Sequence, residues 1–186
     1  GLHVGRTGLT QQQAEAAGYE VVTVLVPTDD KAHYYPGAGF FITKLIAEKE
    51  THKLLGVQVL GTGAVDKMVD IAVMGLNMGA VLEDFENADF AYAPPFSTAI
   101  HPFVQAVHVL LNKINGALVS MTPAEYAAGK AKGYKVIDAG LVPSIHGARY
   151  VDLSAVQGEI EGLDKEEKLL LVCAKGKRAY FLQNRM

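Results

Sequence analysis

The sequence predicts two folds in succession: an α+β unit over residues 1–115, whose antiparallel sheet carries its helices on one side, and a partial α/β unit over residues 122–186, with a linker at 116–121. Three observations lead there. Between Tyr19 and Gly61 runs of β-branched residues follow one another, the last two separated only by a polar turn, which is how a hairpin sheet is written. Apolar residues from Asp66 to Met78 and from Phe103 to Ile114 then recur at helical spacing, so helices follow the strands instead of alternating with them. Beyond Thr122 short strands and helices do alternate, the pattern of a parallel sheet.

In chain order, Thr10 with Gln13 forms a capping box for a short helix that Gly18 ends. Residues 19–26 (Y-E-V-V-T-V-L-V) read as a strand stopped by Pro27. Residues 40–48 and 53–61 are two further strands joined by the polar hairpin 49–52, completing a three-stranded sheet. Its lid is a helix over 66–78, where Met68, Ile71, Ala72, Gly75 and Met78 recur on one face and Val69, Val73 and Leu76 widen it; the methionines read as core filling. A shorter helix at 81–87 leads to residues 90–97 (F-A-Y-A-P-P-F-S), where two prolines predict a stiff extended segment with Tyr92 at its head. Phe103, Val104, Val107, Leu110, Leu111 and Ile114 mark the next helix, with His101 at its start and Gly116 near its end.

The second unit opens on Thr122-Pro123-Ala124-Glu125, a capping box with proline in the first turn, and Gly133 is expected to close that helix. Strands follow at 135–138, 150–153 and 168–173, and helices at 154–161 and 177–185. The last strand ends on Cys173. A thiol between a parallel strand and a helix start lies where backbone N–H groups and the positive helix end converge, which favours thiolate or persulfide.

At 186 residues and 49% hydrophobic, the chain can bury one sizeable core or two small ones. Its 17 basic and 20 acidic side chains give a net charge of −3, with no Lys/Arg run to track phosphates, which argues against nucleic acid as a partner. No apolar stretch reaches membrane-spanning length, and the first residues show no signal-peptide pattern. A single cysteine cannot form an internal disulfide, and the reducing cytoplasm is the expected location. His3, His33, His52, His108 and His146 lack ligand spacing, so no metal site is expected. Gly37-Ala38-Gly39 and Gly61-Thr62-Gly63 lack the third glycine of a dinucleotide loop, so this chain by itself is expected to bind no cofactor.

Residues 5–10 (G-R-T-G-L-T), 33–37 (H-Y-Y-P-G), 55–61 (L-G-V-Q-V-L-G) with Asp66 and Lys67, 78–80, and 92–97 (Y-A-P-P-F-S), taken together and in this order, resemble the flavin-dependent pyridine nucleotide-disulfide oxidoreductases. The likeness is in particular to the C-terminal interface domain of the coenzyme A-disulfide reductases. The resemblance implies that the chain is the tail of a longer polypeptide using FAD and NAD(P)H, which forms a homodimer through residues 1–115. It further implies CoA disulfide, CoA persulfide or polysulfide as substrate, and two tyrosines, Tyr34 and Tyr92, that reach the partner's active-site cysteine. Whether Tyr35 shares the role of Tyr34 is open at this level. Glutathione-reductase relatives use a His-Pro histidine in this domain, but its place falls near Tyr92, and His101-Pro102 comes several residues later.

Residues 173–179 (C-A-K-G-K-R-A) resemble the active loop of rhodanese-type sulfurtransferases. That likeness implies Cys173 as a sulfur carrier, with Ala174, Lys175, Gly176, Lys177 and Arg178 around the substrate. The chain departs from the rhodanese pattern at Asp138-Ala139-Gly140, which lacks an arginine, in a shortened run to Gly147-Ala148, and in stopping at Met186, so an incomplete rhodanese-like domain is expected. Two other readings belong beside this one: a dimerisation module without chemistry of its own, and part of an NADH oxidase or peroxidase of the same fold.

Overall fold

A computed structural model describes residues 1–164 and 166–186, and the chain divides into two compact units, Gly1–Gly116 and Ala117–Met186. The first is built on four antiparallel strands, β1 (His3–Gly8), β2 (Val21–Asp29), β3 (Phe40–Glu48) and β4 (Leu54–Gly61), in the order β1-β4-β3-β2. The expected three-stranded sheet therefore gains β1, which pairs with β4 from His3↔Gly61 to Gly8↔Gly56. H-V-G-R-T-G carries no β-branched run to announce it. Its glycine has a packing reason, since a Cβ on Gly5 would stand 2.8 Å from Cγ2 of Val69.

Strand β2 does not stop at Pro27 but runs on to Asp29, with Pro27 opposite Ile42. The strand is an edge, and a proline there leaves no neighbour without its donor. One face of the sheet, with Val24, Val26, Phe41, Leu45, Val57 and Val59, packs against α2 (Val65–Met78), α3 (Glu83–Glu86) and α4 (Pro102–Ile114). The other face is not bare. Ile46 pairs with Gly56 and Ala47 with Leu54, so the ladder skips Leu55. Leu55 and Ile46 turn to the opposite side and bury Ala14 of α1 (Gln11–Ala16). The expectation of helices on one side holds for α2 to α4 and is corrected for α1, whose single buried alanine gives no periodic signal.

Along α2, Met68, Ala72 and Gly75 are buried as expected, whereas Met78, in the last turn, is 78% exposed and leaves the expected core stripe. Gly75 is where the Phe85 ring docks: a Cβ would lie 2.3 Å from its Cζ. Phe85 in turn meets Phe103 at 5.1 Å between centroids.

In the second unit β5 (Lys135–Asp138), β6 (Arg149–Tyr150) and β7 (Leu169–Val172) form a parallel sheet in the order β6-β5-β7. Ile137, Ala139, Val151, Leu153, Val156 and Leu182 make its core, the last from α6 (Lys177–Arg185). The capping box of α5 (Pro123–Ala127) forms as read, but the helix ends at Ala128, ahead of Gly133, because Gly129 takes a left-handed conformation. The strand expected at 150–153 keeps only its first residue, and the helix expected at 154–161 is a single 3-10 turn, Leu153–Ala155, capped by Asp152. Gly158, at φ 118°, is incompatible with continuing that helix. Among the described residues no helix is long and apolar enough to cross a membrane.

Candidate functional site

Tyr34 sits in the loop between β2 and β3. Its turn is closed by the Tyr35 N–H donating to the Ala32 carbonyl at 2.8 Å and the Ala38 N–H to the Tyr35 carbonyl at 3.1 Å. The loop is anchored by Asp30, buried, whose carboxylate accepts the Gly39 N–H at 2.6 Å. Tyr92 lies between α3 and α4. The prolines after it do not extend the chain as expected: the N–H groups of Phe96 and Ser97 both donate to the Ala93 carbonyl, at 2.9 and 3.1 Å, so Pro94 and Pro95 occupy a tight turn.

These two turns bring the phenols together. Tyr34 neighbours Tyr92, and the Tyr92 hydroxyl is held above its ordinary pKa by burial first, then by the Tyr34 phenol. It is Tyr34, not Tyr35, whose phenol acts on Tyr92. Both rings still face outward, at 68% and 49% exposure. Each phenol carries one O–H that can be offered to a ligand.

Just beyond the turn, a cavity of about 560 Å³ is lined by Lys31, Lys67, Phe96, Ser97 and His101, among others. His101 caps α4, its Nδ1 accepting the Phe103 N–H at 3.2 Å while its ring lies 4.8 Å from that of Phe90. Burial, and the nearby Lys67 charge, lower its pKa to about 4. A neutral, helix-capping imidazole fits the structural role read for it.

In the second unit Cys173 follows β7 directly, half-buried, and the loop through Gly176 delivers α6. Of the backbone N–H groups expected to converge on the thiol, that of Ala179 donates to Sγ, at 3.4 Å. Arg178 Nε donates to the Ala139 carbonyl at 2.8 Å, and its Nη2 reaches Asp152 at 3.5 Å. Ala174, Lys175, Gly176 and Lys177 are exposed around the loop. Asp138, which the motif comparison treated only as a departure, is the residue that sequence reasoning missed. It is 1% exposed and ionised, lowered to about 2 by N–H donors from Ser144, Gly140 and Ile145. A carboxylate at the end of an inner strand was its one available signal.

The glycine-rich turn after β4 does not form a dinucleotide loop. Gly61-Thr62-Gly63 does join β4 to α2, but β4 has only antiparallel neighbours and Asp66 stands where the third glycine would admit a pyrophosphate. Among the described residues no three His, Cys, Asp or Glu side chains gather to hold a metal ion.

An antiparallel sheet backed by α2 and α4 matches the architecture of a reductase dimerisation domain. The chain belongs to the pyridine nucleotide-disulphide oxidoreductases, whose dimerisation domain matches residues 1–103. It is 37% identical over 109 residues, 59% of this chain, to the NAD(P)H coenzyme A polysulfide/persulfide reductase of Pyrococcus horikoshii, covering 24% of that protein. The coenzyme A disulfide reductase of Staphylococcus epidermidis is 31% identical over 88 residues, 47% of this chain and 19% of that one. The solved NAD-dependent persulfide reductase from A. fulgidus superposes with a TM-score of 0.86 at 27% identity, over 98% of this chain and 34% of that chain. Reduced Bacillus anthracis CoADR-RHD gives 0.87 at 25% identity, over 97% and 33%. This chain thus spans about a quarter of the Pyrococcus relative and about a third of each solved chain.

Proposed function

We propose that this chain is the C-terminal part of an FAD-containing, NAD(P)H-dependent reductase of CoA disulfide, CoA persulfide or polysulfide, dimeric through residues 1–115, with a rhodanese-type sulfur carrier at Cys173. The observation that carries this reading is the neighbouring position of the exposed phenols of Tyr34 and Tyr92, beside the likeness to enzymes named for that chemistry. When a disulfide or persulfide is cleaved, one sulfur leaves as a thiolate. A phenol O–H of the tyrosine pair donates to that sulfur and stabilises its charge without carrying charge itself. FAD and NAD(P)H would supply the electrons from the remainder of the longer protein, since the glycine-rich turn here does not form a dinucleotide loop.

Cys173 would accept sulfane sulfur as a thiolate. With thiosulfate, the sulfur attacks the outer sulfur atom, a new S–S bond forms, the old one breaks and sulfite leaves with the electron pair. The 30% identity over 114 residues with the NADH oxidase of Methanocaldococcus jannaschii supports a second reading, reduction of oxygen.

The test uses the longer polypeptide. Tyr34→Phe and Tyr92→Phe should each lower turnover on CoA disulfide by about 10- to 100-fold while flavin content stays constant. The double variant should be at least as impaired as the worse single one, and the two losses of neighbouring groups need not add. Wild-type turnover in both single variants would reduce the phenols to structural groups, and NADH-dependent oxygen uptake without CoA-disulfide turnover would select the oxidase.

A further inference from the structure

We propose that Asp138 is the positioning residue for the Cys173 thiolate and acts on it through Arg178, an inference that rests on the sulfur-carrier reading of Cys173. The parallel pairing of β5 with β7 sets Asp138 opposite Val172, the residue before Cys173, and the Ala139 N–H donates to the Val172 carbonyl at 2.8 Å. By charge alone a buried carboxylate so placed would disfavour a thiolate beside it. Its oxygens are directed elsewhere. They accept the N–H groups of Gly140 at 2.9 Å, Ser144 at 2.6 Å and Ile145 at 2.9 Å, and the Ser144 hydroxyl at 3.0 Å. Asp138 therefore folds residues 139–145 over the end of its own strand.

The folded segment presents the Ala139 carbonyl, which takes Arg178 Nε at 2.8 Å. From the other side Asp152, itself held by the Ser154 N–H at 3.0 Å and hydroxyl at 2.7 Å, faces Arg178 Nη2. The guanidinium is thus tied to two loops at once, and the next residue, Ala179, donates its N–H to Sγ. Among the described residues, the charged groups on the segments flanking Cys173 include Lys175, Lys177 and Arg178 on its own loop and α6, Asp138 at the end of β5 and Asp152 after β6. Arg178, expected to bind substrate, serves the scaffold that aims the first turn of α6.

Charge and positioning make opposite predictions, which decides the experiment. The chain has one cysteine, so iodoacetamide alkylation of the whole chain reports Cys173 alone. If Asp138 acted only as a nearby negative charge, Asp138→Asn would lower the pH midpoint of alkylation. Positioning requires that it rise, by about half a pH unit or more, and that Arg178→Lys, which keeps the charge and loses the fork, raise it too. Should Asp138→Asn lose its thermal transition, Ser144→Ala keeps the three backbone bonds and should give a smaller rise. A fall or no change in Asp138→Asn, or in Ser144→Ala if the former does not fold, together with an unmoved midpoint in Arg178→Lys, overturns the proposal. Thiosulfate:cyanide sulfurtransferase assay of the longer protein separates the two levels. Activity surviving Cys173→Ser removes the carrier reading altogether; activity lost there, with Arg178→Lys unmoved in midpoint, removes this inference alone.

Discussion

In the antiparallel unit, Tyr34 and Tyr92 stand on loops whose ends are set by β2, β3, α3 and α4, and those elements are held by one continuous apolar cluster from Val24 to Leu111. In the parallel unit, Cys173 stands on a loop beside a much smaller cluster, and its surroundings are set by buried carboxylate and guanidinium contacts. The difference follows from strand length. Strands of eight and nine residues, β2 to β4, present enough apolar surface to fix a loop by packing, while strands of two and four residues, β5 to β7, do not. Short parallel strands leave their carboxyl-end loops to be organised by hydrogen bonds.

The contrast breaks first where packing is removed. Phe103, fully buried between α4 and the sheet, should cost about 3–5 kcal/mol when replaced by alanine. A denaturant titration read by hydrogen exchange should show the loss in β3, β4 and α2; a cost under about 1 kcal/mol would mean that packing does not hold the tyrosine loops.

The second effect is a pH dependence inside the packed unit. His101 has a folded pKa of about 4, depressed by burial and then by Lys67. Its unfolded form takes up a proton near pH 6.5, so the stability it contributes is complete above that pH and is lost as pH falls from 6.5 towards 4, by up to about 3 kcal/mol. Thermal melts at pH 7 and pH 4.5 should show this loss, and His101→Asn, which can still cap α4, should flatten it. An unchanged slope in that variant would assign the dependence elsewhere. In the parallel unit the sign is the familiar one for a carboxylate: Asp138, lowered to about 2, contributes stability above the ordinary carboxylate range that is lost only as pH falls through its folded value.

The smallest expected effect sharpens the comparison at a helix start. Thr122→Ala removes the hydroxyl that accepts the Glu125 N–H at 3.2 Å and breaks the capping box of α5. A loss of about 1 kcal/mol, confined to the exchange of α5 amides, is expected. No change in those amides would show that Pro123 alone starts the helix.

The sequence by itself determined what short-range physics decides. Both capping boxes, the β3–β4 hairpin, α2, α4 and α6 were legible because capping, turn chemistry and 3.6-residue periodicity act within a few residues. The reductase resemblance singled out Tyr34 and Tyr92 as candidates from ordered motifs, and the rhodanese likeness singled out Cys173 as a third. Tertiary structure alone decided that β1 closes the sheet, that Pro27 is harmless because β2 is an edge, and that Leu55 turns its side chain to the far face. It alone made the two phenols neighbours and buried Asp138 under its own loop. The reason is common to all of these: each depends on which strand or loop becomes a neighbour across the fold, and residues distant in sequence carry no local pattern that declares their pairing.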